Sequence, residues 1–184
     1  GSGSWGEDGA VLAPRVRDIL RSVDELGDFA RASQDRFAGR LRIGMIPTIA
    51  PYLLPKITKN LSRLHPELDI RVRETMTPRL IQELVEGRLD TAIVALPVSE
   101  PSLTEVALFE EKFLLVRPGT DAGTPAPSRE MMREMRLLLL EEGHCFRDQA
   151  LSFCNMQSAP PREMLDANSL STLVQMVSAG IGVT

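Results

Sequence analysis

The chain has 184 residues, 43% of them hydrophobic and 4% aromatic, so it can bury a real core of aliphatic and methionine side chains as one domain or two small lobes. A formal charge of −4, with no basic patch, argues against direct nucleic-acid contact by this piece. No apolar run approaches the ~18 residues of a membrane span, no signal peptide is present, and two cysteines nine apart do not make a secreted disulfide framework; a soluble chain in a reducing compartment is expected.

In chain order, residues 1–8 read as a cloning remnant beginning Gly1-Ser2-Gly3-Ser4 and are set aside from the fold. Residues 9–38 carry an amphipathic helical stripe of Leu12, Val16, Ile19, Leu20, Val23, Leu26 and Phe29, with Pro14 tolerated in the first turn. A strand is predicted from Leu41 to Ile46, a helix from Pro51 to His65, and an alternating strand from Leu68 to Arg73. A helix follows from Pro78 to Glu86, closed by Gly87, and then a buried strand from Thr91 to Leu96. Strands alternating with helices argue for an α/β fold with an open, mainly parallel sheet.

Pro97 to Pro101 reads as a crossing, dividing residues 39–96 from 97–184. Two further strands are expected at Leu103–Phe109 and Lys112–Arg117, then a Gly/Pro-rich loop and a short helix capped by Ser128. The run Leu137 to Leu140 reads as a buried strand, and a short strand is placed at Glu163–Leu165. Asn168 or Ser169 caps a helix with Leu170, Leu173, Val174 and Val177 that ends at Gly180; Ile181 to Thr184 begins another strand.

Between the Leu137 strand and the last helix lies the segment that carries chemistry, Glu141 to Cys154, which holds both cysteines of the chain. Gly143 breaks the apolar run, and Phe146, Ala150, Phe153 and Cys154 then recur at helical spacing, as one inward face. Cys145 thus falls at the start of a helix, where unpaired N–H groups and the macrodipole favour an ionised sulfur, with His144 and Arg147 beside it. An accessible thiolate is the group that peroxides oxidise to sulfenic acid, which a second thiol can convert to a disulfide. Nine residues of helix span roughly 13 Å, whereas disulfide-bonded Cα atoms lie within about 7 Å. The two sulfurs can therefore join only if the helix unwinds. Packing is the other reading of Cys154, since free cysteine is among the most buried residue types. Two cysteines and two distant histidines lack zinc-site spacing, so neither metal nor cofactor is expected.

The stretch Gly143-His144-Cys145, then Arg147-Asp148-Gln149-Ala150 and a second cysteine at 154, resembles the sensor segment of OxyR, the peroxide-responsive branch of the LysR-type transcriptional regulators. Residues 46–55, from Ile46-Pro47-Thr48 to Pro55, resemble that family's first strand-to-helix passage, and Leu84 to Ile93 its helix, glycine, leucine-aspartate and strand signature. The resemblance implies a two-lobed, periplasmic-binding-protein-like effector domain. Residues 9–38 would be the dimerising linker helix, 39–96 an incomplete first lobe and 97–184 the second. It also implies that the returning strand and last helices lie beyond Thr184, and a winged helix-turn-helix before this piece. Cys145 is then the peroxidatic thiol and Cys154 the resolving one. Thr48 and Thr77 match the threonines of the peroxide pocket, with His144, Arg147 and Asp148 as further contacts; each also reads as a cap, turn or first-turn residue. His65, at a helix end before Pro66, reads as structural.

The function implied is a cytoplasmic, non-enzymatic regulatory domain of a hydrogen-peroxide-responsive transcription activator. Its expected partners are a homodimer or tetramer, DNA through the winged domain, RNA polymerase, and a glutaredoxin- or thioredoxin-type reductant, with no membrane. Two alternatives stay open: a LysR-type domain that binds a small metabolite between its lobes, and a thiol peroxidase.

Overall fold

The computed structural model describes Val16, Ile19, Leu20, Ser22 and Val23 and residues 39–154 and 164–184. Most of the predicted stripe over 9–38 lies outside the described residues; the five positions described there are helical and exposed, Ile19 at 64%. The chain then runs β1 (Gly39–Met45), α1 (Ala50–Leu64), β2 (Leu68–Glu74), α2 (Thr77–Val85) and β3 (Thr91–Ile93). A short 3-10 turn (Gly119–Asp121) precedes α3 (Arg129–Glu134), β4 (Leu137–Leu140), α4 (Cys145–Phe153), β5 (Met164–Ala167) and α5 (Leu170–Ser178).

The strands form two sheets, one in the order β2-β1-β3 and one pairing β4 with β5. β1 with β3 and β4 with β5 pair in parallel, as the alternation of strand and helix predicts: Ile43, Gly44 and Met45 face Thr91, Ala92 and Ile93, and Leu137–Leu140 face Met164–Ala167. Val183 adds a parallel bridge to Leu137. By contacts the chain divides into two units, one of residues 1–42 with 55–71 and one of 43–54 with 72–184. In the first, Asp69 pairs with Arg40 and Arg71 at exposed positions, which contributes little to stability.

The second unit holds the core. β4 is buried on both faces because every residue of it is leucine. Leu137 and Leu139 pack with Met132, Cys154 and Val183, while Leu138 and Leu140 pack with Ala167, Leu173 and Val177. Each leucine taken from water in this way contributes about 1.5–3 kcal/mol. A third cluster joins Ile46, Leu80 and Leu89, with Ile49, Leu84, Ala92, Val94 and Cys145 packed against it.

Local signals set the helix ends. The Ser169 hydroxyl accepts from Thr172 N–H at 3.2 Å and the Ser128 hydroxyl from Met131 N–H at 3.2 Å. Gly87, at φ 66°, turns the chain out of α2, with Arg88 N–H donating back to the Glu83 carbonyl at 2.8 Å. The predicted strand at 163–165 is extended to Ala167 in β5. Among the described residues, the predicted strands at 103–109 and 112–117 form no ladder. Val116 exchanges both backbone hydrogen bonds with Thr184, whereas Val106, Phe109 and Leu114 stay exposed. Their alternation suits a strand, but a ladder also needs a neighbouring chain to bond with.

Candidate functional site

The site is built on the passage from β4 into α4. β4 ends at Leu140; Glu141 N–H donates to the Ala167 carbonyl at 3.1 Å, and His144 N–H closes a turn on the Glu141 carbonyl. Gly143 makes this turn at φ 95°, a conformation L side chains rarely adopt. A Cβ there would also lie 2.7 Å from Met76 Sδ, so the turn rests directly on the residue that precedes α2. His144 is buried and occupies the N-cap position of α4 without a side-chain capping bond.

Cys145 is the first residue of α4, as predicted, and is half-buried and free. It lines a cleft of about 840 Å³ together with Thr48, Thr91, Glu105, Phe146 and Gln149. Phe113 stacks on Phe146 with ring centroids 5.1 Å apart, which fixes the aromatic beside the thiol. Thr48 therefore shares the cleft with Cys145. Thr77 is not among its lining residues, but the Thr77 hydroxyl is buried and, among the described residues, has no hydrogen-bond partner. A buried hydroxyl without a partner is costly, and such atoms mark places where a small polar ligand gains most.

Two other predicted contacts lie elsewhere. The Arg147 guanidinium donates to the Leu140 carbonyl at 2.9 Å and pairs with Asp166 at 2.7 Å, tying α4 to the C-terminal ends of β4 and β5. Asp148 is exposed in the first turn of α4, where a carboxylate complements the helix dipole.

Cys154 ends the same helix, its N–H donating to the Ala150 carbonyl at 3.2 Å. It is buried in the cluster with Met132, Leu137 and Leu139, and its Sγ lies 3.7 Å from Met132 Sδ. Burial pushes the Cys154 thiol up, against the opposing pull of Arg129 and Arg133. The Cys154 carbonyl accepts from Arg133 Nε at 3.3 Å. Both cysteines are free and belong to different apolar clusters. With an intact helix between them, about 13 Å of rise separates positions that a disulfide needs within about 7 Å.

One expectation for α4 fails. Phe153 was grouped on the inward face with Phe146, Ala150 and Cys154, but it is 53% exposed, with the Arg129 guanidinium 4.4 Å above its ring. At the last turn of α4, Met132 of α3 packs on Cys154, while the Phe153 ring faces Arg129 and solvent. Among the described residues, no group of three metal-ligating side chains could hold an ion.

A family model described as LysR substrate binding domain matches residues 34–184. The chain belongs to this family.

This LysR substrate binding domain is 44% identical over 182 residues to a Streptomyces viridosporus protein named "Probable hydrogen peroxide-inducible genes activator", covering 96% of this chain and 57% of that relative. It is 38% identical over 180 residues to the Escherichia coli K12 "DNA-binding transcriptional dual regulator OxyR", again covering 96% of this chain and 58% of the relative. The chain thus spans less than two thirds of these relatives' length. Among solved structures, a Corynebacterium glutamicum OxyR mutant described as H2O2-bound superposes with a TM-score of 0.75 at 30% identity, covering 97% of this chain and 57% of that one. The reduced OxyR regulatory domain of Pseudomonas aeruginosa superposes with a TM-score of 0.68 at 36% identity, covering 80% of this chain and 71% of that one.

Several residues of the site escape a reading of the LysR substrate binding domain's sequence. Met76, Phe113, Met132, Arg133 and Asp166 reach it from other elements, and none carries a local spacing that points to residues 141–154. Apolar or charged character was the only signal they offered.

Proposed function

We propose that the chain is the regulatory part of a hydrogen-peroxide-responsive LysR-type transcription activator, and that its signal is a Cys145–Cys154 disulfide. The observation that carries this reading is the pair of free thiols at opposite ends of α4, one in a cleft and one in the core. The Cys145 thiolate attacks one oxygen of hydrogen peroxide; the O–O bond breaks, sulfur is oxidised to sulfenic acid, and the other oxygen leaves as hydroxide. The Cys154 thiol then attacks the sulfenic sulfur, the S–O bond breaks, and water leaves with the thiol proton. Hydroxyls of Thr48 and Thr77 and the His144 ring steady the O–O bond and its leaving oxygen, as donors aimed at developing charge do. Arg147 and Asp148 act from the first turn, Arg147 by holding the helix to the sheet.

Because α4 must open for the sulfurs to meet, oxidation becomes a conformational event that can repack subunits. On this reading residues 9–38 are the linker helix, 39–96 belong to the first lobe and 97–184 to the second. A winged helix-turn-helix elsewhere in the protein contacts DNA, homo-oligomers engage RNA polymerase, and a glutaredoxin- or thioredoxin-type reductant resets the switch in the cytoplasm. The protein reports peroxide and does not turn it over. The test is intact mass and thiol counting before and after one equivalent of peroxide. Loss of two hydrogens, replaced by gain of one oxygen in Cys154→Ser, is expected; unchanged thiols would sink the proposal.

A second reading, a small metabolite held in the cleft, draws on the volume of about 840 Å³, well beyond what peroxide needs. Calorimetric binding of a carboxylate inducer, unaltered in Cys145→Ser, would favour it.

A further inference from the structure

The end of α4 that bears Cys154 is held by one short helix through three separate contacts. Arg133 Nε donates to the Cys154 carbonyl at 3.3 Å, Met132 Sδ lies 3.7 Å from Cys154 Sγ, and Arg129 sits 4.4 Å above the Phe153 ring. The three side chains stand at i, i+3 and i+4 along α3, which Ser128 caps and which is followed by β4. The Cys145 end of the helix packs in a different apolar cluster, against Ile46, Leu80 and Leu89.

The geometry points to α3 as a latch: Arg129, Met132 and Arg133 are positioning residues that keep Cys154 docked in the reduced protein and set how readily it is released to Cys145. This rests on the disulfide reading above. In the first step Cys145 thiolate and hydrogen peroxide give Cys145 sulfenic acid and hydroxide, and nothing on α3 has to move. In the second, Cys154 thiol and the sulfenic acid give the disulfide and water. Before that step Cys154 must leave its apolar cluster, the Arg133 hydrogen bond must break, and Phe153 must slide from beneath Arg129. All three contacts exist only on the reduced side, so weakening them favours the disulfide. Burial also keeps Cys154 protonated while docked, which suppresses its reactivity until release.

The arrangement separates two properties of the switch. Cys145 and its cleft decide how fast peroxide is detected, and α3 decides how fast, and how completely, detection becomes a disulfide. Substitutions in α3 should therefore change the second without the first.

The experiment uses the full chain, reduced, with hydrogen peroxide as the probe. A cyclohexanedione reagent captures sulfenic acid in the Cys154→Ser background and reports the first step. Quenched mass spectrometry reports disulfide closure, and a glutathione redox titration reports the equilibrium. Losing one hydrogen bond of this kind shifts an equilibrium by roughly threefold to tenfold. Arg133→Ala is therefore expected to close about that much faster and to titrate as correspondingly more oxidised, with Arg133→Lys intermediate and sulfenic acid capture unchanged. Arg129→Ala, at an exposed position that does not threaten the fold, is expected to move the same way by about twofold to fivefold. Closure and equilibrium equal to wild type in both variants, or slower closure, would overturn the latch while leaving the peroxide switch intact. A wild-type chain that forms neither sulfenic acid nor disulfide would remove both.

Discussion

Replacing Gly143 with alanine tests whether the turn before Cys145 is set by backbone conformation and by Met76. Two costs add. An alanine held at φ 95° sits in the left-handed region, which costs about 1–2 kcal/mol for an L side chain. Its Cβ would also lie 2.7 Å from Met76 Sδ, and displacing that sulfur costs roughly 1 kcal/mol, near the low end for overpacking because a thioether is flexible. A loss of about 2–3 kcal/mol is therefore expected in urea unfolding followed by circular dichroism, from two-state fits. Met76→Ala in the same chain removes the steric part only. A double-mutant cycle should return a coupling of about 1 kcal/mol and leave the backbone part standing. Because Cys145 follows the turn by two residues, its reaction with peroxide should slow as well. A loss below about 0.5 kcal/mol, or zero coupling to Met76, would refute the reasoning.

Thr77→Val is expected to leave stability unchanged or raise it by up to about 1 kcal/mol, because the hydroxyl it removes is buried without a partner, while slowing oxidation of Cys145. Thermal melts and thiol loss kinetics on the same samples check both halves; lower stability with unchanged kinetics would make Thr77 a helix-cap residue. Arg147→Ala should cost about 1–3 kcal/mol, mostly from the orphaned Leu140 carbonyl, since Asp166 is partly exposed and its pairing is screened. Urea midpoints at low and high salt separate the two contributions. The buried Cys154 thiol holds its proton more tightly in the folded than in the unfolded chain, so its contribution to stability is complete below the ordinary thiol range near pH 8.5 and is lost as pH rises above it. Urea midpoints from about pH 7 to 10 should fall less steeply in Cys154→Ala than in wild type once pH passes that range.

What could be read directly from the sequence was local. Gly87 and the Asn168-Ser169 pair mark helix ends by backbone and capping chemistry that need no distant partner, and the leucine run at 137–140 reads as a buried strand. Gly143 followed by helical spacing puts Cys145 at or just before the first turn of a helix for the same reason, and it is the first residue of α4. The contacts that hold the site together run between elements far apart in sequence, as from Arg147 to Asp166 or Met132 to Cys154. Helical spacing gives the direction in which a side chain leaves its axis, but not whether another element reaches that far. Phe153 shows the difference, leaving α4 near the buried face yet finding solvent and Arg129. Residues 103–115 show it for strands: the hydrophobic alternation is there, but among the described residues no strand pairs with them.

The clamp between Arg147 and the ends of β4 and β5 sets a boundary on how far α4 can unravel. Arg147 is the third residue of that helix and is moored to both strands, so in the proposed oxidation Cys145 would stay on a fixed post. Only the stretch from Asp148 onward would then be re-threaded. The travelling sulfur would then trace an arc about a stationary one, and the distance it covers would be dictated by the sheet rather than by the helix it abandons.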